Sequence, residues 1–357
     1  MSLKNRKFHI MAIRKSASSQ VKLKVALLGF GGMGHFHATQ YADQKDCELI
    51  AIVDKDPRKF QQLAAKINLG ESGDVSLKGV HQYASYEEMM TVEKPDMVDI
   101  CLPCDLHAEY AIRALQDGLH VLCEKPMARS VKEADQMIAA AKKAKKKLMI
   151  AQCLRFDPVY GAFKKIHDSG KYGKLLRMQA QRLSEAAKGT ENWYRDAKRS
   201  GGAVLDLHLH DVDFLQYLFG SIPGSVSTTG VFTAGTGRAS GGLDELLTHY
   251  DFGNGALVVA EGSWLYPQWF CNLSAVYEKA TVYLEGNKIT IYQQDKKNQV
   301  KEIKGKKNGY WEEIAYFAKC VLTKKDPVQC LPESTRDSIR IAFAEEKSAA
   351  ERKIIKL

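Results

Sequence analysis

Short runs of apolar, β-branched residues alternate with helix-like patterns along the first half of the chain. The apolar runs predict six strands, at 22–29, 48–53, 81–84, 97–102, 120–123 and 148–152. The intervening spacing predicts helices at 33–44, 57–67, 86–91, 105–117 and 130–143, with a polar, glycine-containing loop at 69–79. Regular alternation of strands and helices is typical of an α/β fold, so this half predicts a doubly wound parallel sheet.

The pattern changes after about Asp157. Apolar and polar residues alternate with period two at 175–182, 225–235, 244–251, 256–265, 270–277, 280–285 and 288–293, with Gly or Asn breaks between the later segments. Helical patterns cover 201–219, 309–322 and 334–353. We expect a second α/β unit with a largely antiparallel open sheet built of hairpins.

The excess positive charge is concentrated at the start of the chain. With 52 Lys and Arg against 42 Asp and Glu the formal net charge is +10, but seven basic residues precede the first acidic residue, Asp43. Beyond that point 45 basic residues face 42 acidic ones, and this near balance argues against a nucleic-acid-binding surface. The longest uncharged run, 25–42, contains four glycines and two histidines, so no membrane span is expected.

Residues 1–20 are basic and lack the apolar segment and cleavage site of a secretory signal. We expect a disordered leader, with Met11 as an alternative start and a mitochondrial presequence as the open alternative. The eight cysteines are too few for a disulfide scaffold and predict reduced thiols in a cytoplasmic protein. Cys101 and Cys104 have CxxC spacing, but no second such pair completes a zinc site, so no metal is expected.

A glycine-rich motif follows the first predicted strand and opens the first helix. Its residues are Gly29, Phe30, Gly31, Gly32, Met33 and Gly34. In this context the first glycine permits a tight turn, the next lets the backbone approach a pyrophosphate, and the last allows close packing of helix and strand. The helix N-terminus adds amides and positive potential for phosphate. The motif therefore predicts a dinucleotide site, and the alternative is a glycine-rich turn without a ligand.

Asp54 ends the second predicted strand, 20 residues beyond Gly34. A carboxylate there accepts hydrogen bonds from the adenosine ribose and repels a 2′-phosphate, which favours NAD over NADP. Lys55 and Arg58 are close enough in sequence to reach such a phosphate, so NADP remains open and both residues are candidate cofactor contacts.

Several further stretches follow in a particular order. After the glycine motif come His107, then His120-Val-Leu-Cys-Glu124-Lys125-Pro126 at the fifth predicted strand, then Arg155-Phe-Asp-Pro158. Trp193 then leads to Gly201-Gly-Ala-Val-Leu-Asp206-Leu-His-Leu-His210-Asp-Val-Asp213. Over nearly all of residues 22–357 this series resembles the Gfo/Idh/MocA oxidoreductases. The segment Pro103-Cys104-Asp105 departs from the Pro-Asn or Pro-Thr that is common in these proteins.

The resemblance implies a Rossmann dinucleotide-binding domain at 21–153 and a substrate-binding and oligomerisation domain at 154–357. It implies NAD(P)-dependent hydride transfer at a carbinol or carbonyl of a sugar, cyclitol or related polyol, in a homodimer or homotetramer. Matching positions place the catalytic groups at Lys125, Asp206 and His210. They place further cofactor contacts at Leu102, Pro103, His107, Glu124 and Lys125, and substrate contacts at Arg155, Tyr160, Trp193, Asp206 and His210.

The chemistry requires groups of the same kind. Hydride leaves a carbinol carbon as the hydroxyl loses its proton, and histidine is the usual base near neutral pH. A lysine ammonium beside that oxygen stabilises the developing alkoxide charge. Asp206 and His210 are four residues apart on a predicted helix and share a face. Asp206 could therefore orient the imidazole, pair with Lys125, or do both.

Two other function classes stay open. A non-catalytic dinucleotide sensor on the same fold would not need these proton-transfer groups. A glycosidase of the same family would use bound NAD transiently and release no net NADH. Asp213 lies on the same helical stripe and is expected to support either the site or the fold, whereas His35 and His37 are expected to pack within the first helix.

Overall fold

The structure is a computed structural model of the chain. It describes residues 22–61, 66–67, 70–71, 73–187, 190–236 and 239–357. The leader expected at 1–20 lies outside the described residues. None of the helices in the described part of the chain has the length and apolar character needed to cross a bilayer.

The first half of the chain forms a six-stranded parallel sheet. Its strands and a small separate ladder are β1 (Leu23–Leu28), β2 (Cys47–Val53), β3 (Lys66–Ile67), β4 (Gly70–Glu71), β5 (His81–Tyr83), β6 (Met97–Ile100), β7 (His120–Glu124) and β8 (Leu148–Ala151). Strands β3 and β4 pair with each other as a separate ladder, and the other six lie in the order β5-β2-β1-β6-β7-β8. Because this order reverses at β1, the carboxyl ends of β1 and β6 flank the crevice where doubly wound sheets bind ligands. The predicted doubly wound sheet is confirmed.

Helices cover both faces of this sheet. They are α1 (Gly32–Tyr41), α2 (Tyr86–Val92), α3 (His107–Gln116) and α4 (Val131–Ala144). Alternate residues of β1 belong to different apolar clusters, since Ala26 and Leu28 pack with α3 and α4 whereas Leu27 packs beside α1. Strands β6 and β8 are buried at every position, which explains why their sequences are continuous apolar runs.

The second half forms a nine-stranded open sheet with helices on one face. Its helices are α5 (Pro158–Asp168), α6 (Ala197–Ser200), α7 (Leu209–Phe219), α8 (Gly309–Leu322) and α9 (Pro332–Glu351). Its strands are β9 (Leu175–Glu185), β10 (Ser225–Phe232), β11 (Leu243–Asp251), β12 (Leu257–Ser263), β13 (Leu265–Tyr277), β14 (Ala280–Glu285), β15 (Lys288–Tyr292), β16 (Gln299–Glu302) and β17 (Ile355–Lys356). The order is β16-β15-β14-β13-β9-β12-β11-β10-β17, antiparallel except between β12 and β9, so the largely antiparallel sheet is confirmed.

One helix of the second half, α8, packs against the first sheet. Ile314, Phe317 and Ala318 of α8 pack in the same buried cluster as Val25 of β1 and Met97 of β6. The C-terminal region therefore covers one face of the first sheet. The domain boundary predicted at 153/154 lies between β8 and α5, and it stays a prediction.

Two helical predictions were wrong in detail, and one helix was not predicted. The helix expected at 57–67 is a 3-10 helix at Pro57–Gln61, and β3 begins at Lys66. The helix expected at 201–219 starts with a π-helical turn at Val204–His208 that leads into α7. Helix α5 was missed, although Asp157 caps it by accepting a hydrogen bond from the backbone N–H of Val159 at 2.8 Å. A proline in the first turn after such a residue is a recognised start signal.

The strand predictions also differ at the edges. Strand β10 ends at Phe232 rather than 235, and β13 begins at Leu265 rather than 270 because its pairing with β9 resumes beyond a bulge. The edge strands β16 and β17 were not predicted. Every residue of β16 is exposed, so it carries no alternation of buried and exposed positions for a pattern to detect.

Candidate active site

The glycine-rich turn joins β1 to α1. Gly29 has a φ of +91°, and a Cβ there would lie 2.6 Å from the carbonyl oxygen of Cys101. A Cβ on Gly34 would lie 1.9 Å from the carbonyl oxygen of Gly29, whereas a Cβ on Gly31 would meet nothing within 4 Å. The first and last glycines are therefore required by packing, and Gly31 leaves open space at the N-terminus of α1. No side chain of the described residues caps that N-terminus, so its amides are available to an anion.

Asp54 follows β2 and is buried beside this turn. Its Oδ2 accepts a hydrogen bond from the backbone N–H of Phe30 at 2.7 Å, and the ammonium of Lys59 lies 2.9 Å away. The cation on this carboxylate is thus Lys59, which the sequence analysis did not select. Arg58 is held by both carboxylate oxygens of Asp56 and is 85% exposed, and Lys55 is also exposed.

His107 braces two loops at the carboxyl edge of the sheet. Its ring nitrogens lie 2.8 Å from the carbonyl oxygen of Pro126 and 2.9 Å from that of Leu102. Burial lowers the pKa of this imidazole. His107 therefore lies between the loop containing Leu102 and Pro103 and the turn after β7. Both ring nitrogens face carbonyl oxygens, and the neutral ring donates to one of them at a time.

The predicted catalytic lysine and aspartate lie together. Lys125 immediately follows β7, and its Nζ lies 2.9 Å from Oδ1 of Asp206 and 2.5 Å from the carbonyl oxygen of the same residue. Burial acts to lower the pKa of Lys125, but the charges of Asp206 and Glu124 outweigh it and raise that pKa. The ammonium form is therefore maintained at neutral pH.

The π-helical turn presents Asp206 to Lys125 through two different oxygens. Turns of this kind are rare and are frequent at functional sites. Of the alternatives left open for Asp206, pairing with Lys125 is observed. Nδ1 of His210 is buried without a hydrogen-bond partner among the described residues, so an orienting bond from Asp206 to that nitrogen is not observed.

His210 is poised to accept a proton. Burial lowers its pKa well below the ordinary value, and the nearby charges of Lys125 and Arg182 lower it further. The imidazole is therefore neutral at physiological pH and retains an acceptor nitrogen. Histidine and lysine thus have pKa values shifted in opposite directions, which suits one to act as base and the other to stabilise negative charge.

Arg155 and Asp213 form a second, enclosed pair. The guanidinium donates to Oδ1 and Oδ2 of Asp213 at 2.6 and 2.7 Å and to Oγ of Ser334 at 2.9 Å. Ser338 also donates to Asp213, at 2.8 Å. These contacts tie the segment after β8 to α7 and α9, which is the fold-supporting alternative for Asp213. The substrate contact predicted for Arg155 gains no support from them.

A third buried pair lies beside His210 and was missed in the sequence. Arg182 of β9 donates to both carboxylate oxygens of Asp211 at 2.8 and 3.0 Å, and to the hydroxyl of Tyr160 at 3.1 Å. Tyr160 is thereby fixed near the candidate base. The signal was an arginine at an inward position of an alternating strand, which is rare unless the charge is paired.

Aromatic side chains surround Asp206 on another side. Trp193 stacks on Tyr194 with ring centroids 3.9 Å apart, and Tyr194 meets Trp264 edge-on at 6.2 Å. Burial raises the pKa of Tyr194 well above its ordinary value, and the charges of Asp206 and Glu124 raise it further. Trp193 is therefore next to the site through Tyr194, a residue that the sequence analysis did not select.

The two histidines of α1 have different environments. His35 stacks on Phe30 with ring centroids 4.0 Å apart, in agreement with a packing role. His37 instead lies between carboxylates, with Nδ1 2.8 Å from Asp99 and Nε2 3.0 Å from Glu124. The expectation that His37 simply packs was wrong, because the acids come from β6 and β7 and are 62 and 87 residues away.

Comparison with protein families gives two matches in chain order. Residues 23–152 match a model described as an oxidoreductase family with an NAD-binding Rossmann fold. Residues 160–287 match the GFO/IDH/MocA C-terminal domain. The chain belongs to the Gfo/Idh/MocA oxidoreductase family.

Individual relatives are more distant. The chain is 30% identical over 210 residues to the D-glucoside 3-dehydrogenase of Escherichia coli, a match covering 58% of this chain and 56% of the relative. It is 27% identical over 207 residues to the inositol 2-dehydrogenase of Rhizobium meliloti, covering 58% of each. These matches thus span little more than half the length of the relatives. The aldose-aldose oxidoreductase of Caulobacter crescentus, solved with glycerol, shares the fold with a TM-score of 0.80 and 22% identity, over 94% of this chain and 100% of that one.

Proposed function

We propose that the protein is an NAD-dependent dehydrogenase or reductase that acts on a carbinol or carbonyl group of a sugar, cyclitol or related polyol. The observation that carries this proposal is the partly buried Lys125–Asp206 pair, with a neutral His210 nearby, at the carboxyl edge of a doubly wound sheet. The named relatives include dehydrogenases of glucosides and inositol, which supports this substrate class.

The residues around the glycine turn fit a dinucleotide. The space beside Gly31 and the uncapped N-terminus of α1 suit a pyrophosphate. Asp54 is held against the turn by the Phe30 amide, where its carboxylate would accept a ribose hydroxyl and disfavour a 2′-phosphate. NAD is therefore the proposed cofactor, and it supplies the hydride acceptor or donor when bound.

The remaining chemistry belongs to residues of the chain. His210, neutral because of its lowered pKa, accepts the proton of the substrate hydroxyl during oxidation and returns it during reduction. The ammonium of Lys125 stabilises the negative charge that develops on the same oxygen. Asp206 holds Lys125 in place and keeps it charged.

This function is tested by cofactor binding followed by a substrate panel. Quenching of protein fluorescence is titrated with NADH and with NADPH, and then absorbance at 340 nm is followed with NAD and a series of polyols and sugars. We expect tighter binding of NADH and turnover of at least one compound. Binding without turnover would favour the sensor, and release of a sugar product without net NADH would favour the glycosidase. Failure to bind either nucleotide would refute the proposal.

We propose further that the protein forms a homodimer or homotetramer through the open face of its second sheet. Large apolar side chains on this sheet are strongly exposed: Leu176 is 47%, Val231 50%, Leu247 48% and Leu257 48% accessible. Large apolar side chains that are exposed on several strands of one sheet are typical of an interface. Light scattering after gel filtration should give a multiple of 39.9 kDa, and Leu247→Lys should reduce it. A monomer at high concentration would refute the assembly.

We propose a reducing, cytoplasmic location because the cysteines are free thiols. All eight cysteines are free, and seven of them are buried. Free thiols are typical of proteins in compartments where disulfides do not persist. Fractionation of the cells that make the protein should recover it with cytoplasmic markers, and recovery with mitochondria would favour the presequence alternative.

A further inference from the structure

Four ionisable side chains form a cluster next to Lys125. Asp99 of β6, His37 of α1 and Glu313 of α8 are fully buried, and Glu124, the last residue of β7, is 5% exposed. They come from four different elements of the fold. Charged groups are expensive to bury unless they are paired, so the arrangement of this cluster requires an explanation that the proposed hydride transfer does not provide.

His37 connects two carboxylates of the cluster. Its Nδ1 lies 2.8 Å from Oδ2 of Asp99, and its Nε2 lies 3.0 Å from Oε1 of Glu124. Ionised carboxylates only accept hydrogen bonds, so both ring nitrogens must donate and the ring is an imidazolium. Burial acts to lower the pKa of His37, but Cys101, Asp99 and the hydrogen bond to Asp99 raise it well above the ordinary value. The hydroxyl of Tyr41 donates a further bond to Asp99 at 2.8 Å.

Glu124 connects His37 to the proposed catalytic lysine, Lys125. While Oε1 faces His37, Oε2 accepts a hydrogen bond from the backbone N–H of Lys125 at 2.9 Å. Burial acts to raise the pKa of Glu124, but His37 and Lys125 lower it. The charges therefore alternate from Asp99 through His37, Glu124 and Lys125 to Asp206, an order in which every neighbour is attractive.

We propose that His37 is a positioning residue for Lys125 and acts through Glu124, which it keeps ionised and clamped against the backbone of the lysine. This inference rests on the proposed function, since it assigns His37 to the same reaction. His37 is not among the groups that act directly on the pKa of Lys125, whereas Glu124 is. Glu124 must therefore stay anionic for the lysine to keep this support.

Glu313 lies next to the chain of charges but is not a member of it. One of its carboxyl oxygens, Nε2 of His37 and an oxygen of Glu124 lie within 4.8 Å of one another. Neither oxygen of Glu313 has a hydrogen-bond partner within the part of the chain that the structure describes. Burial raises the pKa of Glu313 well above its ordinary value, and the charge of Glu124 adds to this. Glu313 is therefore a neutral carboxylic acid, and a third anion beside Glu124 is avoided.

The other titratable groups around the chain are neutral near pH 7. Burial raises the pKa of each phenol and thiol and lowers that of each histidine in this group: Tyr41, Cys47, Cys101, Cys104, His107, Cys123, Cys153, Tyr194, His210 and Tyr310. A change in pH between about 6 and 9 should therefore act on the cluster through the imidazolium, the carboxylates and the ammonium themselves.

The test replaces His37 by Gln, which removes the positive charge. Glu124 should then take up a proton, and the pKa of Lys125 should fall by about one unit. We expect kcat to fall about 10- to 100-fold with an alkaline limb at lower pH than in the wild type, while the Kd for NADH stays unchanged. NMR of ¹³C-labelled lysine, assigned with Lys125→Arg, reports the same pKa without turnover. Failure of the proposed function is thereby distinguished from failure of this inference.

Two variants of the same cluster are controls. Glu313→Gln exchanges one neutral group for another, and Tyr41→Phe removes a hydrogen bond without changing charge. Both should keep the wild-type pH profile, although Tyr41→Phe should lower Tm. A wild-type profile and lysine pKa in His37→Gln would overturn the inference. So would a stoichiometric divalent ion that is lost in Glu313→Gln, because the cluster would then be a metal site. If His37→Gln does not fold, the ¹⁵N shifts of the wild-type ring at pH 8 decide, and a neutral His37 refutes the proposal.

Discussion

Two ion pairs join the same helical segment to the ends of neighbouring strands, and they differ in what surrounds them. Lys125, after β7, pairs with Asp206, and Arg155, after β8, pairs with Asp213. The side chains of the first pair are 13% and 11% exposed, and those of the second pair are 3% and 1% exposed. The lysine pair is therefore accessible to a small ligand, whereas the arginine pair is enclosed by protein.

The difference separates a reactive pair from a structural one. In the sequence, each pair consists of a basic residue that follows an apolar strand and an acidic residue that lies on the same helical stripe as the acid of the other pair. In the structure the donors of Arg155 are used by Asp213, Ser334 and the carbonyl of Gln329. The ammonium of Lys125 donates to two oxygens that both belong to Asp206. Burial and the number of satisfied donors thus decide the role where the residue types do not.

The largest effect is expected from Lys125→Met. Loss of the ammonium should lower kcat by at least about 10³-fold, because the developing alkoxide loses its stabilising charge. NADH binding and the midpoint of unfolding should stay close to wild type. Steady-state kinetics and fluorescence titration measure the two effects. Lys142→Met, at a lysine whose side chain is 71% exposed, is the matched control, and full activity in Lys125→Met would refute the mechanism.

The next effect, on stability, is expected from Arg155→Met. This change leaves Asp213 buried without its cation, so the free energy of unfolding should fall by about 3–5 kcal/mol. Chemical denaturation measures it. Arg336→Met removes a more exposed arginine with carboxylate partners and should cost less than about 1 kcal/mol. A raised KM for substrate with unchanged stability would instead return Arg155 to the substrate pocket, as the sequence had suggested.

Signals confined to one stretch of chain were sufficient to predict most of the fold. The apolar runs of β1 and β6 and the turn at Gly29 are legible because each element carries its own pattern of burial. Lys125 and Asp206 are 81 residues apart. They were considered as a pair only because both match catalytic positions of the Gfo/Idh/MocA family. The π-helical turn that joins them left no periodic signal.

Partners that meet through tertiary contacts were missed. Arg182 with Asp211, Lys59 with Asp54, and His37 with its carboxylates depend on side chains from different elements. A charged residue at an inward-facing position is a usable warning that such a partner exists. The identity of that partner depends on packing, which a single sequence does not display.

A smaller effect should distinguish two glycines of the turn. One is required by packing and the other faces open space, just as one ion pair is enclosed and the other is accessible. Gly34→Ala forces a Cβ to within 1.9 Å of a backbone oxygen and should destabilise the fold by at least about 2 kcal/mol. Gly31→Ala meets no atom within 4 Å, so stability should change by less than about 1 kcal/mol. Its methyl group should nevertheless raise the Kd for NADH by about tenfold. Equal NADH affinity in Gly31→Ala would argue against a pyrophosphate at this position.

The smallest effect concerns the acid limb of the pH profile, which depends on the pKa of His210. Burial, Lys125 and Arg182 lower the pKa of His210, so its neutral, basic form persists as pH falls and is lost only below that lowered pKa. Between pH 8 and pH 6 we expect kcat/KM for oxidation to change by less than about twofold, whereas an ordinary histidine would cause a fall of about fourfold. A matched kinetic series in His210→Gln should lack the acid limb. An inflection near pH 6.5 in the wild type would show that burial, Lys125 and Arg182 do not lower the pKa of His210. The Lys125 pair would then influence this base no more than the enclosed Arg155 pair does.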